Sequence, residues 1–231
     1  IPFLIPFLIA MAVGPKLKWI KSDLQNKTHM VVFFIISFAL SIFIIKIINV
    51  SFLINTILVT SAFYLFFETL RDFVTKRQKK LSQNVAHFGF SLLILSILFN
   101  NILSTEVITN LKIGETFKSE KLKINFEKIE QKSKKNFKAI IGKFNIENPD
   151  GSVEILRPEL RIYNQPNIVT SEADIKTNLL TDRFITMNLV QNQEYFNIRY
   201  QIKPFMFWIW FSVLIIISGG LISLFQKRYE N

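Results

Sequence analysis

Four long apolar runs constrain this sequence more than any other feature. They cover residues 31–49, 52–70, 84–103 and 205–225 and contain few charged side chains. About 20 apolar residues in an α-helix cross a hydrocarbon core of roughly 30 Å. Half of the 231 residues are hydrophobic and 24 are Phe, which is more apolar surface than a soluble domain of this size could bury. The sequence therefore predicts an integral membrane protein.

A shorter apolar segment, residues 1–14, ends at Gly14-Pro15. Because glycine and proline end helices, this segment is expected to be a fifth, short membrane-spanning helix. It begins inside an apolar run with no basic residues before it, so a signal peptide is not expected. We expect the chain to be the C-terminal part of a larger protein.

Basic residues set the expected orientation of the helices. The connections 15–30 and 71–83 are rich in Lys and Arg, and basic loops stay on the cytoplasmic side of a membrane. We therefore expect membrane helices within 1–103, an exported domain at 104–203, and a last helix with a cytoplasmic tail at 204–231. This arrangement accounts for the net charge of +11 without nucleic acid as a partner.

Residues 104–203 have the pattern of a β domain. Apolar and polar side chains alternate, as at Leu122, Ile124 and Phe126, which is typical of half-buried strands. Asn148-Pro149-Asp150-Gly151 has the composition of a tight turn, and the Lys-rich stretch 118–138 is interpreted as a solvated face. The expected fold class is an α-helical transmembrane bundle with one exported antiparallel β domain.

One of the two histidines, His87, lies inside an apolar run. On a helix, Gln83, Asn84, His87 and Ser91 share one face, and a polar stripe in a lipid-embedded helix must face protein or a cofactor. Two interpretations stay open from the residues alone. His87 could pack helices through hydrogen bonds, or it could bind iron through one ring nitrogen while a neighbouring acceptor fixes the other nitrogen.

Other kinds of chemistry find little support in the sequence. There is no cysteine, so disulfides and thiolate metal sites are excluded, and neither a Gly-rich phosphate loop nor an HExxH motif occurs. His29 falls in the predicted cytoplasmic loop and is interpreted as an ordinary interfacial histidine. Thr56, Thr60 and Tyr64 recur at helical spacing and predict a helix-packing face, with a cofactor pocket as the alternative.

Several short motifs, taken in order, resemble the C-terminal portion of the CcmF family, the haem lyase subunit of the cytochrome c maturation system. The resemblance extends over essentially the whole chain, and the order and spacing of the motifs make it specific. The motifs are Gly14-Pro15 before Trp19, Ala86-His87-Phe88-Gly89-Phe90, Gly114-Glu115, LRPELRIY at 156–163, TSEADI at 170–175, Asp182, Trp208-Ile209-Trp210 and Gly219-Gly220.

The resemblance implies haem chemistry. Members of the family take haem from a haem-carrying chaperone and promote its thioether attachment to apocytochrome c on the outer face of the membrane. They also hold a b-type haem between two transmembrane histidines. His87 matches one of these axial ligands of the haem iron, Asn84 and Ser91 could support it, and the second histidine would lie outside this chain. No catalytic residue is assigned within the chain.

The resemblance also implies partners and a location. The partners are the upstream part of the same subunit, the haem-carrying chaperone, components that hold apocytochrome c, apocytochrome c itself and membrane lipid. The location is a bacterial or mitochondrial inner membrane, with the β domain in the periplasm or intermembrane space.

Some family features are missing from this chain. The tryptophan-rich haem-handling segment and the outer-side histidine pair map upstream of Ile1, so this chain is not expected to attach haem alone. Arg157-Pro158-Glu159 and Arg161 are interpreted as fixing a strand edge and its turn. A cofactor-free, membrane-anchored assembly factor or scaffold is the alternative function.

Overall fold

A computed structural model gives the fold for residues 3–16, 28–75, 81–119, 122–148, 151–190 and 194–229. The chain forms two compact units. One unit combines residues 1–103 with 205–231, and the other contains residues 104–204.

The first unit is helical. Its α-helices are α1 (Leu4–Val13), α2 (Thr28–Ile48), α3 (Phe52–Thr75), α4 (Leu81–Leu103) and α5 (Met206–Tyr229), and a 3-10 turn, Gly14–Lys16, follows α1. In the described part of the chain, α2 to α5 are long and apolar enough to cross a membrane. α1 has 10 residues and therefore rises only about 15 Å. Of the five expected spans, four are thus long enough to cross a membrane, and the first is a shorter apolar helix.

The predicted packing face of α3 is confirmed. Thr56, Thr60 and Tyr64 are each at most 5% exposed. The Thr60 hydroxyl donates to the carbonyl of Thr56 at 2.7 Å, and the Tyr64 ring packs edge-on against Phe34 of α2 at 5.8 Å. Because each threonine hydroxyl bonds to the preceding helical turn, its donor is satisfied without water and can lie inside the bundle.

α4 and α5 approach each other closely at two glycines. A Cβ atom on Gly89 of α4 would lie 2.9 Å from a side-chain carbon of Ile215. A Cβ atom on Gly219 of α5 would lie 2.7 Å from the backbone nitrogen of Ala86. Small residues permit such close packing between membrane helices, where van der Waals contact replaces the hydrophobic effect. The crossing therefore places α5 directly against the residue before His87.

The second unit is an antiparallel β-sandwich. Its strands are β1 (Thr105–Leu111), β2 (Thr116–Lys118), β3 (Lys123–Ser133), β4 (Phe137–Glu147), β5 (Val153–Leu156), β6 (Glu159–Tyr163), β7 (Val169–Glu172), β8 (Asp174–Thr177), β9 (Thr181–Leu189) and β10 (Phe196–Pro204). One sheet has the order β1-β10-β9-β8, and the other has the order β2-β3-β4-β6-β7 with β5 also paired to β4. The predicted fold class is confirmed.

Both sheets contribute side chains to the core of the sandwich. Leu122, Ile124 and Phe126 are buried, as their alternation predicts, and the rings of Phe126 and Phe144 stack with centroids 4.3 Å apart. From the other sheet come Leu111, Ile185, Met187, Ile198 and Tyr200. The period-2 pattern of the sequence therefore identifies the inner face of each sheet.

The described residues agree with the predicted turn and with the interpretation of the Lys-rich stretch as a solvated face. Pro149 and Asp150 lie outside the described residues, but Gly151 has a φ of +79°, a conformation that glycine adopts at little cost. The Asn148 N–H donates to the Ser152 carbonyl at 2.9 Å. In the Lys-rich stretch, Lys128 is exposed and pairs with Glu130, as expected of a solvated face.

The interpretation of Arg157-Pro158-Glu159 as a strand edge is wrong. β6 is an interior strand that pairs with β4 on one side and β7 on the other. Pro158 falls in the break between β5 and β6, and its carbonyl accepts a hydrogen bond from the Gly142 N–H at 3.0 Å. Proline lacks only the donor, so an interrupted strand tolerates it. Glu159 and Arg161 do share one face, where their side chains form a 2.9 Å ion pair.

Candidate functional site

His87 lies in the second turn of α4, on the face that packs against α3. Its side chain is half-buried, whereas Asn84 and Ser91 on the same stripe are buried. The Asn84 side-chain amide donates to the backbone carbonyl of Asp72 at 3.2 Å. The Ser91 hydroxyl lies 2.7 Å from the hydroxyl of Thr69. Asn84 and Ser91 thus face protein and attach α4 to α3, as predicted, whereas Gln83 of the same stripe is exposed.

The imidazole of His87 differs from the side chains of Asn84 and Ser91 in its hydrogen bonding. Within the described residues, neither of its ring nitrogens forms a hydrogen bond. Asn84 and Ser91 bond to α3 rather than to His87. The carboxylate of Asp72 acts on the ring electrostatically. A histidine in this state keeps its capacity to bind a metal through a ring nitrogen.

Aromatic side chains surround this part of α4. Phe88 stacks on Phe73 with ring centroids 5.5 Å apart and packs against Phe66 at 5.7 Å. Phe90 contacts Phe7 of α1 edge-on at 6.3 Å. These ring contacts give this part of α4 an apolar, aromatic environment.

A single histidine side chain, His87, is enough to occupy one ligand position of a haem iron. Among the described residues, no group of three or more His, Asp or Glu side chains could hold a metal ion. A structural zinc site would need about four protein ligands. The macrocycle of a haem fills the plane around its iron, so that only axial positions remain for side chains. His87 can fill one of them.

A second polar group, the buried charge cluster, lies where the first three helices meet. The salt bridge between Lys16 and Glu68 is its centre, with side chains 7% and 1% exposed. Lys16 Nζ also lies 3.8 Å from a carboxylate oxygen of Asp72, and Arg71 donates to Nε2 of His29 at 3.0 Å. Charges buried this deeply are stable only with partners of opposite sign.

The sequence interpretation missed this cluster. His29 lies in the first turn of α2 rather than in a loop, and its Nε2 is 3.7 Å from a carboxylate oxygen of Glu68. Its interpretation as an interfacial loop histidine was therefore wrong. The signal that could have revealed the cluster is Glu68 itself, an acidic residue within an apolar run, which must find a cation nearby.

The β unit matches a known protein family. Residues 102–204 match the family described as CcmF C-terminal beta-sandwich. The cytochrome c-type biogenesis protein CcmF of Haemophilus influenzae is 27% identical over 97% of this chain and 37% of its own length. Its β unit matches the CcmF C-terminal domain, and the chain is similar to the C-terminal portion of CcmF. CcmF of Escherichia coli K12 is 21% identical over 99% of the chain, and again only 37% of that protein is covered.

A solved CcmF structure has the same fold. The structure titled Cytochrome c Heme Lyase CcmF matches with a TM-score of 0.71 at 17% identity, covering 95% of this chain and 38% of that one. The chain thus spans little more than a third of the length of the CcmF proteins it matches.

Proposed function

We propose that this chain forms the C-terminal part of a cytochrome c haem lyase and supplies His87 as one axial ligand of a transmembrane b-type haem. The observation that supports this most is the unbonded imidazole of His87, which lies between two residues that are fixed to α3. The second axial ligand would be a histidine outside this chain. The similarity to CcmF agrees with this role.

The residues around His87 would orient it for this role. The bonds of Asn84 and Ser91 to α3 restrict rotation of α4 about its axis, and an axial ligand must be held in one orientation. The aromatic rings of Phe73 and Phe88 would exclude water from the site. A bound b-type haem would supply one-electron redox chemistry.

Asp72 would influence the charge state of the site. Its carboxylate acts electrostatically on His87, and a negative charge near an axial ligand favours the more positive, oxidised state of the iron. At the same time, its backbone carbonyl fixes Asn84. One residue of α3 would therefore both orient α4 and lower the reduction potential of the haem.

The remaining parts of the function would depend on partners. In this proposal the upstream part of the subunit completes the haem site, and the assembled subunit receives haem from the haem-carrying chaperone and attaches it to apocytochrome c. The charge pattern supports an orientation with the basic connections on the inner side of the inner membrane and the β-sandwich on the outer side.

The haem content of the assembled subunit tests the ligand. The chain is co-expressed with the upstream portion of the subunit, and the reduced absorbance spectrum is recorded for the wild type, His87→Ala and His29→Ala. We expect a b-type haem spectrum in the wild type and in His29→Ala, and its loss in His87→Ala. His29 is the matched control because it is the only other histidine in the chain.

Two results would argue against the proposal. Wild-type haem content in His87→Ala, with unchanged far-UV circular dichroism, would rule out the ligand role. A wild-type subunit that assembles normally but binds no haem would instead favour the cofactor-free scaffold.

A further inference from the structure

The turn between β8 and β9 exposes two adjacent leucines. Leu179 and Leu180 are 62% and 63% exposed. They lie at the tip of a tight turn, where neither sheet can cover them. A pair of exposed leucines on such a projecting turn indicates a surface that is covered by something else.

Strand register places this turn at one particular end of the sheet. Thr181, the first residue of β9, pairs with Pro204, the last residue of β10. Thr105, the first residue of β1, pairs with Ile202 near the same end. One residue separates β10 from α5, and one residue separates α4 from β1. The leucine turn is therefore at the end of the sandwich where the chain enters and leaves the membrane helices.

The distances involved are short. Neighbouring strands lie about 4.8 Å apart, so the β8–β9 turn is about 5–10 Å across the sheet from Pro204. The polar headgroup region on each side of a bilayer is about 5–8 Å deep. α5 begins at Met206, two residues after Pro204, so the turn lies at the end of the sheet from which the chain continues into this helix.

The turn satisfies three of its backbone N–H groups internally. The side-chain oxygen of Asn178 accepts hydrogen bonds from the N–H groups of Leu180 and Thr181 at 2.8 and 2.7 Å. The Asn178 N–H donates to the Thr181 carbonyl at 3.1 Å. A segment that enters a bilayer loses the water that would otherwise bond to its backbone, and each unsatisfied group is costly. Three backbone donors of this turn therefore need no water.

We propose that residues 178–181 insert Leu179 and Leu180 into the lipid interface of the membrane that α4 and α5 cross. The binding partner is a phospholipid bilayer at the boundary between headgroups and acyl chains. The insertion fixes the β-sandwich to the membrane at a third point, in addition to its two chain connections. It does not depend on whether the chain binds haem.

The absence of cysteine makes a direct test possible. The whole chain with the substitution Leu180→Cys is labelled with an environment-sensitive NBD probe and reconstituted into phosphatidylcholine vesicles. Leu189→Cys is the matched control, because Leu189 is 50% exposed and lies at the far end of β9, the strand that follows the turn. Leu180 immediately precedes β9, and nine steps of about 3.3 Å per residue place Leu189 roughly 30 Å from it.

We expect a blue-shifted emission at position 180 that is quenched by lipids carrying a nitroxide on the acyl chain, and no such quenching at position 189. Leu179→Cys should behave as Leu180→Cys does, which guards against misfolding of one variant. Absence of lipid quenching at both 179 and 180 overturns the proposal. A blue shift at these positions without lipid quenching also overturns it, because protein rather than lipid would then cover the turn.

Discussion

Replacing Gly219 by alanine is expected to force α5 away from the part of α4 that carries His87. The new Cβ atom would lie 2.7 Å from the backbone nitrogen of Ala86 and 3.0 Å from its Cα. Ordinary contact begins at 3.4 Å, so the helices must separate locally by about 0.7 Å. The atoms that clash belong to the backbone of Ala86 and cannot rotate away.

The adjacent glycine gives a control that isolates this clash. A Cβ atom on Gly220 would meet nothing within 4 Å. Both substitutions gain about 1 kcal/mol because alanine favours a helix over glycine. Overpacking at Gly219 costs about 1–3 kcal/mol. Gly219→Ala should therefore be about 1–3 kcal/mol less stable than Gly220→Ala, while Gly220→Ala equals or exceeds the wild type.

Denaturant titration of the purified protein in detergent measures this difference, and the absorbance of the co-expressed subunit measures haem retention. Under the proposed function, haem content should fall in Gly219→Ala and stay unchanged in Gly220→Ala, since moving Ala86 moves His87. Equal stability of the two variants would refute the packing argument. Unequal stability with equal haem content would refute only the connection between the helix crossing and the ligand.

Two further predictions concern charged groups. Lys16→Met should destabilise the helical unit by about 3–5 kcal/mol because it leaves the buried carboxylate of Glu68 without its cation. Denaturant titration should show that adding Glu68→Leu recovers most of this lost stability. No recovery in the double variant would contradict the pairing. In the β-sandwich, a hydrogen bond from the Gln201 amide holds the pKa of Glu106 below its ordinary value of 4.5. The folded state thus favours the ionised carboxylate, so this stabilisation is present above pH 4.5 and is lost as pH falls through the lower folded pKa. Thermal unfolding measures this effect: as pH falls through that range, the melting temperature of Glu106→Gln should decline less than that of the wild type. An equal decline in both proteins would contradict this assignment.

The sequence predicted most accurately where burial follows a local period. The alternation at Leu122, Ile124 and Phe126 identified core positions just before β3 and within it, and the spacing of Thr56 and Thr60 identified the packing face of α3. These patterns depend only on the geometry of the strand or helix itself. The order of strands in a sheet does not follow from such a local pattern. β6 becomes an interior strand because it pairs not only with β7, the next strand, but also with β4, which precedes β5 in the chain.

Helix ends were harder to predict for a related reason. The apolar run of α3 ends at residue 70, but the helix continues to Thr75. Charged side chains end a hydropathy pattern, yet here Arg71 bonds to His29 and Asp72 lies near Lys16. These partners come from α2 and from the turn after α1. Tertiary contacts thus extend a helix that composition alone would end.

The position of His87 on a polar stripe could be predicted, whereas the constraints on it could not. Bonds from Asn84 and Ser91 to α3 fix the rotation of α4, because hydrogen bonds are directional. Contact between Gly219 and Ala86 fixes the distance between α4 and α5, because van der Waals repulsion is steep. Rotation and distance are independent of each other. An axial ligand depends on both, so a change at either helix contact should reach His87 without touching it.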